Sequence, residues 1–308
     1  MRFVYERAAA TGRVAFVNGT VEQLLTTGGG EGSRVTGARL REGGRVLSAD
    51  LVVVAAGAWS PQLVDLSSQV VATGQVLAYL DLTEDEQAQL GHRPVLMNIS
   101  TGLFVIPPRD RVLKVARHAY GYLNPQPLAH PPLGSPPSVS PGSDSNPVVV
   151  STPHTHLTDP DLSIPAEGVA ALREALRRIV PLPELHDRPF ARTRLCWYTD
   201  TPTADFLVDY HPRWPRSLFV ATGGSGHAFK FLPVIGGRVV DCLLGRRPTD
   251  LGPKWRWKEK GPGQAMAARP TEAAHNAVVG TSDGSVIVTE DGSRGGRPGL
   301  ILEEELKR

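Results

Sequence analysis

The feature that most constrains this chain is an unbroken apolar run, Leu51-Val52-Val53-Val54-Ala55-Ala56, which ends in Gly57-Ala58-Trp59-Ser60-Pro61. A strand with no polar alternation is expected to be buried on both faces, as in a parallel central strand. The theme recurs at residues 217–222, Ser-Leu-Phe-Val-Ala-Thr, which lead into Gly223-Gly224-Ser225-Gly226. A helix is expected next, with Pro233 tolerated in its first turn and Ile235, Val239 and Cys242 on one face.

Around these runs, residues 3–10 read as a helix, 13–18 as a short strand, and 21–25 and 35–40 as β segments flanking a polar glycine loop at 26–33. Residues 41–46 read as a turn. After Thr73-Gly74 the texture changes to alternating strands at 75–82, 94–98, 102–106 and 111–118, as in a mixed or antiparallel sheet of a second domain. Residues 125–147 hold eight prolines and read as an irregular surface loop. Residues 166–180 give the clearest amphipathic helix, with Leu172, Leu176 and Ile179 on one face, Arg173, Arg177 and Arg178 on a solvated one, and a stop at Pro181. Strands follow at 194–198 and 206–209. From Arg246 onward the composition is polar and glycine-rich, an extended tail that packs in part on the body.

Composition narrows the classes. The 308 residues allow two domains, and 41% hydrophobic with 21% charged residues is ordinary globular usage. Gly and Pro together supply 59 residues, an excess that belongs in loops and tails. A formal net charge of +2 gives no general attraction to nucleic acid or an anionic membrane. Two cysteines, Cys196 and Cys242, make no disulfide framework and point to a reducing compartment, and no zinc-ligand spacing occurs. The apolar run is too short to span a bilayer, and neither a signal peptide's apolar core nor a C-terminal peroxisomal tripeptide is present. The expectation is an intracellular, cytoplasmic protein.

Residues 52–61 resemble the strand-to-loop segment of glutathione-reductase-type flavin domains, where glycine lets backbone approach a dinucleotide. A sharper set follows: Cys196-Trp197-Tyr198-Thr199-Asp200-Thr201-Pro202, Asp205-Phe206-Leu207-Val208, His211-Pro212, and Ala221-Thr222-Gly223-Gly224-Ser225-Gly226-His227-Ala228-Phe229-Lys230-Phe231. This ordered set resembles monomeric sarcosine oxidase and the fungal fructosyl amino acid and saccharopine or pipecolate oxidases. Gly74-Gln75 and the stretch from Leu113 to Tyr122 share the likeness. The ending, Asp291-Gly292-Ser293-Arg294-Gly295-Gly296 with Leu302-Glu303-Glu304-Glu305-Leu306, is nearest the fungal branch.

The resemblance implies an α/β fold: an incomplete glutathione-reductase-type FAD-binding domain from residues 1–73 and 194–250, a β-rich substrate domain from 74–193, and a C-terminal extension at 251–308. It implies FAD carried through a thioether at Cys196, chemistry open to a soft thiolate nucleophile. The alternative for a free cysteine is a small buried hydrophobe, the role expected of Cys242. Val21, Ala56, Gly57, Trp59, Gly223, Gly224, Ser225, Gly226, His227, Phe229 and Lys230 are the implied cofactor contacts. Backbone amides of the glycine loop and the following helix N-terminus favour negative charge on the reduced ring. His227 lines the cofactor or is a packing histidine. Lys230 holds the substrate carboxylate or is a solvated loop lysine. Lys114, whose alternative is a solvent-facing strand residue, stabilises the superoxide that develops as electrons pass to oxygen. Tyr120 and Tyr122 are expected in packing rather than in a pocket.

The implied reaction oxidises a C–N bond of a secondary amine or N-substituted amino acid, with O2 as acceptor and hydrogen peroxide released. The partners are therefore a small-molecule substrate and O2, with no metal. The family opens with a Gly-x-Gly-x-x-Gly turn whose helix receives the FAD pyrophosphate, and no such motif occurs in these 308 residues. Gly28-Gly29-Gly30 lacks the spacing. The expectation is that a large N-terminal part precedes this sequence in the family pattern and that the chain by itself does not hold FAD. It is expected to be monomeric or to depend on that segment. The competing expectation is a non-enzymatic remnant or interaction module.

Overall fold

The computed structural model describes residues 1–28, 32–135, 147–258 and 294–308. The chain opens with α1 (Arg2–Ala10), none of whose residues is buried. Residues 13–18, expected as a strand, form none. Without a neighbouring strand the segment has no ladder to join, and Phe16 packs on Tyr5 of α1 instead, ring centroids 4.2 Å apart. β1 (Val21–Thr26), β2 (Val35–Leu40) and β3 (Val46–Ser48) form an antiparallel meander.

β4 (Val52–Val54) is followed by a 3-10 turn at Gly57–Trp59 and by α2 (Ser60–Leu63). It pairs in parallel with β14 (Leu218–Thr222), which pairs antiparallel with β13 (Leu207–Tyr210). The parallel pairing agrees with the sequence, but burial on both faces does not hold throughout. Val54 points into the core, while Val53, on the opposite face of the sheet, is exposed.

β5 (Val71–Asp81) is the spine of the larger sheet. After α3 (Glu84–Leu90) come β6 (Leu96–Met97), β7 (Leu103–Arg109), β8 (Val112–Arg117) and β9 (Tyr122–Leu123). The proline-rich stretch was expected to be irregular, yet its first residues form β10 (Pro125–Pro127), paired with β11 (Val149–Ser151). A two-stranded ribbon tolerates proline because its outer edge needs no amide. Residues 136–146 lie outside the described residues. α4 (Ala166–Ile179) leads to β12 (Arg192–Asp200), which runs antiparallel to β5 from Arg192↔Tyr79 to Asp200↔Val71. The expected domain divisions at 73/74 and 193/194 both fall inside this pair. α5 (Leu232–Leu243), α6 (Gly252–Trp255), β15 (Leu300–Ile301) and α7 (Leu302–Leu306) complete the chain. The tail docks: β15 pairs with β9 and Leu302 is buried. Residues 259–293, including the Asp291-Gly292-Ser293 of the family-like ending, lie outside the described residues.

One face of the large sheet is apolar and covered by α4. Val76, Ala78 and Leu80 of β5, Leu113 and Val115 of β8, and Leu195 of β12 share a core with Leu172 and Leu176. Arg117 on the same face bonds Glu167 at 2.5 and 2.8 Å, and Tyr122 donates to Glu167 as well. Burial pushes the Glu167 carboxyl up, but these bonds outweigh it and hold the group below its usual range. Arg173 is not on the solvated face of α4. It donates to the carbonyls of His186 and Arg188 at 3.2 and 2.6 Å and lies over the Phe190 ring at 3.7 Å. Arg177 and Arg178 are surface ion pairs with Asp187 and Glu174.

Thr83 and Glu86 form a reciprocal cap at the start of α3. Arg188 also grips the Glu86 carboxylate with two bonds, at 2.6 and 2.8 Å. That grip lowers the Glu86 pKa from 4.5 to about 2. A carboxyl with a depressed folded pKa gives stability that is complete above its unfolded value and disappears as pH falls through its folded value. Glu86→Gln is therefore expected to cost about 2 kcal/mol at pH 7. In thermal melts the gap from the parent protein should close between about pH 4.5 and about pH 2. A gap that persists unchanged to pH 2 would overturn the assignment.

Candidate functional site

The second face of the large sheet is built differently. Strand alternation places Arg192, Arg194, Cys196 and Tyr198 of β12 on one side, and their register partners on β5 are Tyr79, Leu77, Gln75 and Thr73. Across β5, Tyr79 meets Lys114 and Leu77 meets Ala116 of β8, which in turn face Ile106 and Phe104 of β7. Cys196 and Lys114 thus share a face. They stand four residues apart along the strands, about 13 Å, and two strands apart, about 10 Å. His118 continues the alternation of β8, its ring 5.7 Å from that of Tyr198.

The two ends of this face differ. At the end beyond Cys196, the glycine loop seats itself on Tyr198 and Thr201. A Cβ on Gly226, at φ +76°, would lie 2.4 Å from the Tyr198 ring, and one on Gly223, at φ +73°, 2.7 Å from the Thr201 methyl. These glycines are required by packing within the protein, not only by approach to a cofactor. The Ser225 amide donates to the Thr199 carbonyl at 2.9 Å, and its hydroxyl accepts from the Thr201 amide at 3.2 Å. At the other end, around Arg192, Arg194, Tyr79 and Lys114, the side chains are exposed or half-buried.

The carboxyl ends of the parallel strands meet beside this face. The Thr222 hydroxyl donates to the Gly57 carbonyl and bonds the Ser60 hydroxyl, each at 3.2 Å. The Gly57–Trp59 turn lies against β5 and β12. Over Gly57 (φ +52°) a Cβ would meet nothing within 4 Å, so the space there is open, and Trp59 is exposed.

Cys196 is exposed and free, and Cys242 is free and buried. The turn at Gly57–Trp59, which follows Ala56, lies against β12, the strand of Cys196, and is tied through Thr222 to the start of the Gly223-Gly224-Ser225-Gly226 loop, which rests on Tyr198 and Thr201. Val21 begins β1 and packs partly against the core around Val54 and Leu218. His227 bonds the Ala204 carbonyl through Nε2 at 2.8 Å and packs on Phe206, while its Nδ1 is buried without a partner among the described residues. Phe229 is 76% exposed, and Lys230 is exposed with Nζ 5.2 Å from the Phe231 ring centre. Lys230 lies in the turn after the glycine loop and Lys114 on β8, and no contact joins them among the described residues. Tyr122 is a core residue, as expected.

FAD fits these residues on three counts. Cys196 offers an accessible thiol, His227 Nδ1 is an orphaned acceptor, and the amides of Gly224 and Gly226 make no hydrogen bond among the described residues. Sequence reasoning gave no role to His118, Arg194 or Arg294. The period-2 spacings Lys114-x-Ala116-x-His118 and Arg192-x-Arg194-x-Cys196 carried the signal for the first two; Arg294 had no local signal. Among the described residues no group of three or more His, Cys, Asp or Glu side chains could hold a metal, and no helix is long and apolar enough to cross a membrane.

Parallel strands ending in glycine turns beside an open sheet face that carries a free thiol define a nucleotide-cofactor α/β protein. The chain belongs to the DAO family of FAD-dependent oxidoreductases, whose pattern matches residues 1–242. It is 36% identical over 230 residues to the amino acid oxidase imqH of Aspergillus flavus, covering 71% of this chain and 48% of that protein. It is 32% identical over 219 residues to L-saccharopine oxidase of Schizosaccharomyces pombe, covering 71% and 46% respectively. The structure of fructosyl peptide oxidase from E. terrenum superposes with a TM-score of 0.71 at 31% identity, over 92% of this chain and 55% of that one. The chain therefore spans about half the length of these relatives.

The glycine positions give a paired test. Gly226→Ala drives a methyl into the Tyr198 ring and is expected to lower stability by about 3 kcal/mol, whereas Gly57→Ala, with open space above it, should cost about 1 kcal/mol. Urea unfolding of the two variants checks the order, and equal costs would mean that the loop does not rest on Tyr198 as described.

Proposed function

We propose that this chain serves a flavin-dependent oxidase that acts on the C–N bond of a secondary amine or N-substituted amino acid, with O2 as acceptor and hydrogen peroxide as product. The observation that carries the reading is the exposed, unpaired Cys196, set on one sheet face with Lys114 and His118 and beside the paired glycine turns. The names of the relatives, an L-saccharopine oxidase and fructosyl peptide oxidases among them, fit that chemistry.

FAD, when bound, supplies the two-electron acceptor that the twenty side chains lack. The residues present bind and orient. Cys196 would hold the flavin through a thioether, the amides of Gly224 and Gly226 would be its hydrogen-bond donors, and Ala56, Gly57 and Trp59 would bound the space over the strand ends. Ser225, His227 and Phe229 complete that wall, with Val21 behind it. Residues 1–73 and 194–250 form the cofactor side and 74–193 the substrate side. Lys230 holds the substrate carboxylate. Lys114 provides a fixed positive charge for the anion that develops as oxygen is reduced, an effect strongest where water is excluded. Tyr198 stays a neutral phenol, because burial raises its pKa to about 12. With no carboxylate base required, the substrate amine enters neutral.

The 308 residues supplied with FAD alone should stay colourless, whereas a longer version carrying a Gly-x-Gly-x-x-Gly unit ahead of residue 1 should retain flavin absorbance after denaturation, and Cys196→Ser in that version should release it. An unmodified Cys196 peptide from a yellow protein would overturn the anchor. In stopped-flow half-reactions Lys114→Met should slow reoxidation at least tenfold with little effect on anaerobic reduction, whereas Lys230→Met should chiefly weaken substrate binding. Equal losses in both half-reactions for both variants would overturn the division of roles. No flavin uptake and no peroxide with any secondary amine by that longer version would favour the reading as an interaction module.

A further inference from the structure

The open end of the sheet face carries a cation for which the described residues supply no partner. Arg194 stands between Arg192 and Cys196 in the same alternation, and its half-buried side chain has a buried Nε with no hydrogen-bond partner. No ion pair among the described residues uses Arg194 or Arg192, and Arg192 lies instead over the Tyr79 ring at 4.3 Å. On β5 and β12 the carboxylates in this alternation are Asp200, already bonded to Arg294 and Thr73 at the opposite end, and Asp81, exposed and in no ion pair. A guanidinium taken partly out of water without an anion is unfavourable, and a carboxylate answers its fork geometry with two parallel bonds.

Cys196 divides this face. Toward residues 198–201 lie the glycine loop and the turn bearing Lys230, and toward 192–194 lie the two arginines. Two cationic positions on opposite sides of the anchor match two anionic groups on one ligand, not one. We propose that Arg194, flanked by Arg192, binds a second carboxylate of the substrate, so that the preferred amine is an N-substituted amino acid with an acidic group at its far end. This rests on the oxidase reading of the same face and adds the residue that sets its specificity. A single carboxylate held by Lys230 would leave Arg194 without a counter-ion.

The test uses a matched pair of secondary amines, N-(3-carboxypropyl)glycine and its ω-amide, which differ only in the distal charge. Calorimetric titration of the 308-residue chain, with and without added FAD, should show the dicarboxylate binding at least tenfold more tightly than the amide. That preference should shrink below twofold in Arg194→Met and return in part in Arg194→Lys, with circular dichroism confirming that both variants are folded. Equal affinity for the two ligands, binding of neither, or a preference that survives Arg194→Met would each overturn the proposal. Peroxide formation separates the two readings. A dicarboxylate preference that depends on Arg194 but comes with no flavin reduction by any secondary amine would remove the oxidase reading alone. Turnover of both ligands at equal kcat/KM would remove the second-carboxylate site alone.

Discussion

The buried pair of Arg294 and Asp200 is the constraint on which the site depends. The guanidinium is 2.7 Å from one carboxylate oxygen and reaches the Ala119 carbonyl at 3.3 Å and the Ser225 carbonyl at 3.2 Å. The other oxygen of Asp200 accepts from Thr73, which also accepts from Gln75 at 3.0 Å, and Gln75 accepts from the Ala119 amide at 2.9 Å. The polar groups thus close a ring through β5, β12, the segment after β8, the glycine loop and the C-terminal segment. Such a pair adds little net stability over an apolar replacement, since both charges leave water. Its value is in register. Each partner has one geometry that satisfies it, and removing either leaves a buried charge at a cost of about 3–5 kcal/mol. Arg294 also lies over the Tyr198 ring at 5.4 Å, so the residue two positions from Cys196 is fixed from both sides, by the cation and by Gly226.

Local signals in the sequence were good guides wherever local chemistry decides the structure. The period-3.6 pattern over α4, the alternation of β5, β7 and β8, and the strand-into-glycine runs at Val54 and Thr222 all name elements that fold as read. The departures share one cause, which is that tertiary neighbours are not written in a local window. Residues 13–18 have strand composition but no strand to pair with. Arg173 has the spacing of a solvated residue, yet the loop carrying His186 and Arg188 crosses above it. Pro125 and Pro127 look like loop residues, but β11 returns alongside them. For the site, the motif around Cys196 was legible because its residues are contiguous. The contribution of Arg294, which is 94 positions from Asp200, was not.

The sheet separates stability from chemistry by its two faces. On one, Val76, Ala78, Leu80, Leu113, Val115 and Leu195 lock against α4, and burial of these side chains holds β5, β8 and β12 in fixed register. On the other, the same registers place Cys196, Arg194, Arg192, Lys114 and His118 in known rows without any apolar layer of their own. Because period 2 is strict, a one-residue slip of β12 would bury Cys196 in the core and expose Leu195 and Trp197. The apolar face is therefore what keeps the thiol outward. It also explains why a strand that, among the described residues, pairs only with β5 can hold an exposed thiol in a fixed place. Its position is set from below by Leu195 and from its far end by Asp200, while the charged Arg192 and Arg194 discourage pairing with another chain along its free edge. Among the described residues neither arginine enters an ion pair, so the charge that guards this edge is also a charge left available to a carboxylate.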